Sequence, residues 1–391
     1  MSSVIRFGID GLLQSPAYNK YRIGLVTNDA ATTARGILSR LALVEKGFRL
    51  VKLFSAEHGL SSRAADGIFQ PHGTDSLTNL PVISLYGDHL APTEEDLMDI
   101  DMVVYDLPDI GCRFYTYQWT LTHIMESCSN YDKHLLILDR PNPLSGNLLL
   151  AEGPMLDEEN CSSFIGRWPM PLRHSCTIAE LAFYWNHLKQ LNLDLQIIKM
   201  KHWERKNFFS DLGIAFVPTS PGIPYFTIAL LYPGTGLLEG INISEGRGTS
   251  YPFKICGAPF INSGQLTEAF NALALPGIKA SPYNFVPASG KYEKEDCHGM
   301  MLHITDQHAL RPVTIGLTII NLLINLYPGK ITEHEYRTIA NPTGEKHLEK
   351  LTGLSGIWPL LQQEVASFQK DLPAMVAVTE WQSMMEPWLL Y

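Results

Sequence analysis

A glutamate stands directly past a short apolar run in Phe54-Ser55-Ala56-Glu57-His58-Gly59-Leu60. A carboxylate at a strand end projects into the cleft that the following loops form, and apolar neighbours such as Leu53 and Phe54 would raise its pKa toward what a general acid needs. An isolated Glu-His pair is more often a turn or a helix cap, so position carries this reading. A denser cluster follows in Asp106-Leu107-Pro108-Asp109-Ile110-Gly111-Cys112-Arg113-Phe114-Tyr115-Thr116-Tyr117. Carboxylates such as Asp109 can bind sugar hydroxyls, Tyr115 and Tyr117 can stack on a sugar ring, and Arg113 can hold a carboxylate through two parallel hydrogen bonds. For Asp106, an internal ion pair that orders the loop weighs as much as a ligand contact.

Two further stretches carry polar groups. Asp139-Arg140-Pro141-Asn142-Pro143 uses its prolines to fix an extended path, leaving Arg140 and Asn142 free to donate, and Glu152-Gly153-Pro154 adds a loop carboxylate. Ile241-Asn242-Ile243-Ser244-Glu245-Gly246-Arg247-Gly248 sets Glu245 and Arg247 among glycines that let a backbone approach a ligand. Gly234, Gly236 and Gly240 beside it miss the dinucleotide spacing and lack a strand before them, which excludes a nicotinamide or flavin site. The histidines have no metal-ligand spacing, and neither a serine-hydrolase elbow nor a phosphate loop occurs. No cofactor is expected, and what remains is carboxylate chemistry in a cleft bearing arginine and tyrosine.

The elements that must position these groups alternate. Apolar runs at Tyr21 to Asn28, Arg49 to Phe54, Val82 to Tyr86, Asp101 to Tyr105 and His134 to Leu138 are separated by helical patterns, which predicts a parallel sheet covered on both faces. Ligands of such sheets bind outside the carboxyl ends of the strands. Asn28, Glu57 with His58, Asp106 with Asp109, and Asp139 with Arg140 and Asn142 all fall there. The alternation fades after Gly146. A boundary is therefore expected between a Rossmann-like α/β domain over 1–147 and a mixed α/β (α+β) domain over 148–391. In the second domain a helix is expected over Thr177 to Gln190, a strand over Leu193 to Lys199, and a long ordered loop over Pro218 to Pro259.

At 391 residues the chain can bury a sizeable core. A net charge of -10 without a basic stripe makes nucleic acid an improbable partner, so an anionic ligand must be met by locally placed cations. Six scattered cysteines without paired spacing suit a reducing compartment. The N-terminus does not read as a signal peptide, and the apolar stretch from Thr314 to Tyr327 falls short of the roughly 20 residues that span a bilayer. Its Asn321 and Asn325 fit a core helix better. The expectation is a cytoplasmic protein with no membrane partner; a homodimer is left open.

Taken together, Gly24-Leu25-Val26-Thr27-Asn28, the Glu57 motif, Asp106 through Tyr117, Asp139 through Pro143, Glu152-Gly153-Pro154 and Ser244 through Thr249 resemble the exo-β-N-acetylmuramidase family, formerly a domain of unknown function. The resemblance runs from about Arg22 to Tyr391. It implies a Rossmann-like domain and a mixed α/β domain with the active site in the cleft between them. It also implies a glycoside hydrolase that releases N-acetylmuramic acid from non-reducing ends of peptidoglycan fragments during cell-wall recycling. The family's glutamate falls on Glu57, with Ala56 where proline is common. Leu107-Pro108 stands where Ile-Gln is usual and Ser175 where glycine is common.

On this reading Glu57 is the proton donor, and its partner is left open among Glu152, Glu245, Glu239 and Asp109. Arg113, Arg140 or Arg247 would hold the lactyl carboxylate of muramic acid. Asn28, His58, Tyr115, Tyr117 and Asn142 complete the expected sugar-binding set. A non-catalytic saccharide-binding protein that keeps the cleft is the alternative, which the Leu107-Pro108 departure leaves open.

Overall fold

The computed structural model describes residues 4–391. Its main sheet is built from β1 (Ile23–Val26), β2 (Leu50–Ser55), β3 (Gly73–Thr74), β4 (Pro81–Ser84), β5 (Met102–Tyr105) and β6 (His134–Leu138). A seventh strand joins after β7 (Glu152–Met155) and β8 (Pro171–Arg173), which form a separate hairpin-like pair; this is β9 (Leu195–Ile198). The order is β3, β4, β2, β1, β5, β6, β9, and every neighbouring pair is parallel except β3 with β4. The α/β class with a mostly parallel sheet is therefore as expected.

The central strands read as largely apolar runs, interrupted by Lys52 in β2, because both faces are covered. Ile23 and Leu25, Met102 and Val104, and Leu136 and Leu138 point to one face, against Ile5, Phe7, Ile9 and Leu12. The alternate residues Val26, Val103, Tyr105, Leu135 and Ile137 point to the other. There they meet Trp119 of the helix Tyr117–Asn130 and Trp185 of the helix Ile178–Leu188.

That second core does not stop at the sheet. It continues through Leu237 and Ile241 into Met300, Leu317, Ile320 and Leu348, so one apolar body runs through both halves of the chain. The sheet likewise takes β9 from beyond residue 148, where the sequence suggests a boundary. A strand that follows a helix looks the same in sequence whichever sheet it joins.

The C-terminal half adds an antiparallel sheet of β10 (Ile255–Ala258), β11 (Ile278–Phe285) and β12 (Cys297–Ile304), in the order β10, β12, β11. Two helices, Phe226–Thr235 and Pro312–Leu326, pack tightly at Gly234 and Gly316. A Cβ on Gly234 would stand 1.8 Å from the Pro312 carbonyl oxygen, so only glycine permits this approach. The first helix lies inside the stretch expected to be loop. Pro233 and Gly234 read as breakers: Pro233 gives up the N–H bond back to the Ala229 carbonyl, and the helix ends within two residues of it. In the second helix, buried Asn321 donates to the carbonyls of Leu361 (3.0 Å) and Gln363 (2.8 Å), tying it to the segment beyond. No helix among the described residues is long and apolar enough to cross a membrane.

At the carboxyl end of β6, Asp139 accepts from the Ala179 N–H (3.2 Å) and from the Tyr391 hydroxyl (2.7 Å). Burial, with Glu180 adding repulsion, pushes its carboxyl up to about 7. The folded chain thus binds a proton that the unfolded chain has released, from about pH 4 up to about pH 7. Stability from this group is complete below that window and lost as pH rises through it, by an amount on the order of a few kcal/mol. The expected result is a melting temperature that falls from pH 5 to pH 8 in the wild type and falls less in Asp139→Asn. Identical slopes at matched ionic strength would contradict it.

Candidate active site

The polar clusters do follow the carboxyl ends of β1, β2, β5 and β6, but they divide between two hollows. Loops after β1, β5 and β6 line one of about 930 Å³, with Thr32, Arg35, Pro108, Asp109 and Arg140 on its wall. The loop after β2 and the tail of the β5 loop line another of about 760 Å³, closed on its far side by residues 220–253 and 336–351. Glu57 opens into the second.

Glu57 is held by two donors. The Gly67 N–H reaches Oε1 at 2.7 Å and the Thr116 hydroxyl reaches Oε2 at 2.6 Å. Gly67 has φ +70°, and a Cβ there would meet Thr338 at 2.7 Å, so the residue that aims this N–H has to be glycine. The surroundings expected to be apolar are therefore hydrogen-bonding at the carboxylate itself. Beside it His58, in the left-handed region at φ 66°, bonds through Nδ1 to the Ala64 carbonyl (2.9 Å). Burial and the nearby Glu57 keep the Tyr86 phenol well above its ordinary pKa, so it stays a neutral hydroxyl. Tyr86, Phe114, Tyr115, Phe164, Tyr232 and Phe253 give the cavity an aromatic wall.

Opposite stands an arginine shared by carboxylates. Arg247 meets Glu239 at 2.5 Å, Asp66 at 2.8 Å and Glu245 at 3.4 Å, and its guanidinium lies 4.9 Å from the Phe253 ring centre. Burial opposes ionisation of Glu239, but Arg247 and His347 override it and hold the carboxyl well below the usual range. Glu245 lies behind the cavity wall. It faces Lys291 at 3.0 Å, whose ammonium donates to the carbonyls of Leu238 (2.7 Å), Ile241 and Ile243 (both 2.8 Å). Three carboxylates thus share two cations, leaving one negative charge uncompensated in addition to Glu57.

Of the residues singled out in the sequence, Glu57, His58, Tyr115, Glu239 and Arg247 line this cavity. Tyr117 lies just behind, its ring 4.9 Å from that of Tyr115 and its hydroxyl bonded to the Thr219 carbonyl (2.6 Å). The others are placed elsewhere. Glu152 accepts from the N–H groups of Val313 and Thr314 (3.2 Å each) and from the Thr314 hydroxyl (2.7 Å), capping the helix Pro312–Leu326. Burial raises its pKa, against the pull of Arg173.

Arg113 is fully buried and donates only to carbonyls, those of Pro154 (2.8 Å), Met170 (3.0 Å) and Leu351 (3.1 Å). With no carboxylate to offset burial, its pKa falls to about 10. Arg140 pairs with Asp106 at 2.7 Å. Asn142 donates to the Cys176 carbonyl, Asp109 faces His174 at 3.0 Å, and Asn28 accepts from the Ala30 N–H. Ser175, where the family commonly has glycine, sits at φ 54°, a conformation glycine adopts without strain.

The structure adds residues that the sequence reading did not single out. Asp66, Tyr336, Asn341, His347 and Lys350 all line the cavity, and the Tyr336 hydroxyl donates to Asp66. Asp66 had a readable signal, an acid before a glycine in the loop that begins with Glu57. The others come from a segment with no strand before it. Among the described residues no group of three His, Cys, Asp or Glu side chains could hold a metal ion.

Comparison with known proteins agrees over the whole of this architecture. The family models for the N-terminal and C-terminal parts of the exo-beta-N-acetylmuramidase NamZ match residues 23–227 and 230–391. The chain is 42% identical over 329 residues to the peptidoglycan beta-N-acetylmuramidase NamZ of Bacillus subtilis (strain 168), covering 83% of this chain and 78% of that one. Two solved DUF1343-family proteins of Bacteroides fragilis NCTC 9343 share the fold. One has a TM-score of 0.86 at 29% identity over 99% of both chains; the other has 0.75 at 25% over 100% of this chain and 99% of that one. The chain belongs to the NamZ exo-beta-N-acetylmuramidase family of glycoside hydrolases.

Proposed function

We propose that this protein hydrolyses the β-glycosidic bond that joins a non-reducing terminal N-acetylmuramic acid to the rest of a peptidoglycan fragment, with Glu57 donating the proton to the leaving oxygen. The observation that carries it is Glu57 itself, a buried carboxylate anchored by Gly67 and Thr116 in the wall of an aromatic-lined cavity. A hydroxyl both donates and accepts, so Thr116 can turn to receive a proton carried on Oε2. Thr116 thereby supports either protonation state of Glu57, as an acid that is later regenerated requires.

The uncompensated negative charge around Arg247 favours an oxocarbenium-like transition state, in which positive charge develops on the sugar ring. Asp66 and Glu239, the other carboxylates on the wall, are the candidates for the second catalytic group. Glu152 and Asp109 are occupied outside the cavity, and Glu245 is occupied behind its wall. Leu107 is buried in the core and Pro108 faces the other hollow, so this departure from the family pattern leaves the Glu57 cavity untouched and the non-catalytic alternative without support. The free, buried state of all six cysteines supports a cytoplasmic, reducing location.

The test is turnover of a chromogenic β-N-acetylmuramide against the matching β-N-acetylglucosaminide by the purified protein. Selective release from the muramide is expected. Equal turnover of both, or none by well-folded protein, would overturn the assignment.

A further inference from the structure

Muramic acid differs from glucosamine by a lactyl ether that ends in a carboxylate, so a selective site needs a cation with charge to spare. Two side chains of fixed positive charge line the cavity among the described residues, Arg247 and Lys350. Arg247 is already surrounded by Asp66, Glu239 and Glu245. A fourth carboxylate there would meet more repulsion than attraction. Arg113 and Arg140, the other arginines that the sequence suggests, are committed to carbonyls and to Asp106 outside the cavity.

Among the described residues no carboxylate lies within ion-pair distance of Lys350, and its ammonium donates to one neutral acceptor, Asn341 Oδ1, at 2.8 Å. It lies three residues after His347 on the helix His347–Thr352, which puts both side chains on one face. The His347 ring stacks on Tyr336 with centroids 4.8 Å apart; neither of its buried nitrogens makes a hydrogen bond, and Nε2 stands 3.9 Å from Glu239. The platform is braced from below: the Asn341 amide donates to the Tyr336 carbonyl (3.4 Å), and the Tyr336 N–H donates to the Gly344 carbonyl (3.0 Å). An ammonium without an ion-pair partner, an amide and an imidazole that makes no hydrogen bond therefore converge on one wall.

We propose that Lys350, with Asn341 and His347 beside it, forms the subsite that takes the lactyl carboxylate and so sets the preference for muramic acid. This inference rests on the muramidase reading above. The carboxylate would replace Asn341 as the main acceptor of the Lys350 N–H groups, a charge-assisted bond that the glucosamine sugar cannot make.

The test uses the full chain and its Lys350→Met and Lys350→Arg variants on three chromogenic glycosides: the β-N-acetylmuramide, the same compound with its lactyl carboxylate converted to a methylamide, and the β-N-acetylglucosaminide. Lys350→Met is expected to raise KM for the free acid by roughly 10- to 100-fold while leaving the methylamide little changed, and Lys350→Arg to recover much of the loss. A Lys350→Met protein that still separates acid from amide as the wild type does would overturn the inference while leaving the muramidase reading intact. A folded wild type that turns over neither muramide would overturn that reading, and the inference with it.

Discussion

Glu57→Gln is expected to lower kcat/KM on a disaccharide with N-acetylmuramic acid at its non-reducing end by about 10²- to 10⁴-fold while leaving the fold intact, because a positioned acid contributes a factor of that order. The amide can turn its oxygen to the Gly67 N–H and its NH₂ to the Thr116 hydroxyl, which then accepts, so both anchors survive the exchange. Only the transferable proton is lost. The deficit should also depend on the leaving group. A 4-nitrophenolate departs with little protonation, whereas a sugar alkoxide cannot, so the loss should be larger on a natural disaccharide. Matched thermal melts with parallel kinetics on both substrates check this; equal losses would argue for a nucleophilic or purely positioning role.

The second large effect concerns Arg247. Arg247→Met removes one cation from beside three carboxylates, two of them almost wholly buried, and breaking such a cluster costs about 3–5 kcal/mol. The pH dependence has a definite sign. In the wild type Glu239 titrates below its ordinary value of 4.5, so it contributes stability above that pH and loses it as pH falls through the depressed value. Without Arg247, burial pushes Glu239 the other way, and the variant gains stability on mild acidification. Urea unfolding at pH 5 and pH 7.5 measures it: the gap between variant and wild type should be wider at the higher pH. A gap below about 1 kcal/mol at both would show the pairs to be weak, as exposed ones are.

The two halves of the molecule were unequally legible. β1, β2, β5 and β6 declare themselves because both faces are covered and, apart from Lys52, Ser55 and His134, their residues are apolar or glycine. β11 does not: its apolar alternation, Ile278 and Ala280 and then Tyr283 and Phe285, changes phase at Pro282, and its pairing with β12 is a long-range event that no local pattern encodes. The helix Phe226–Thr235 was hidden by Pro233 and Gly234, whose reason is the close contact with Gly316 some eighty residues away. Residue type also outran residue partnership at the site. Arg113, Arg140 and Arg247 look alike as loop cations, yet one is sunk among carbonyls, one is paired outside the cavity and one is neutralised by three acids. Lys350 lay on a short C-terminal helix with no strand-end signal, and only the folded chain brings it to the cavity that holds Glu57.

The most direct measurement offers the purified protein two isomeric disaccharides, one with N-acetylmuramic acid at the non-reducing end and one with it at the reducing end, and identifies the free sugars by mass spectrometry. The account predicts N-acetylmuramic acid released from the first, nothing from the second, and a far slower release from the first by Glu57→Gln. Cleavage of both isomers alike, or undiminished cleavage by Glu57→Gln, would contradict it.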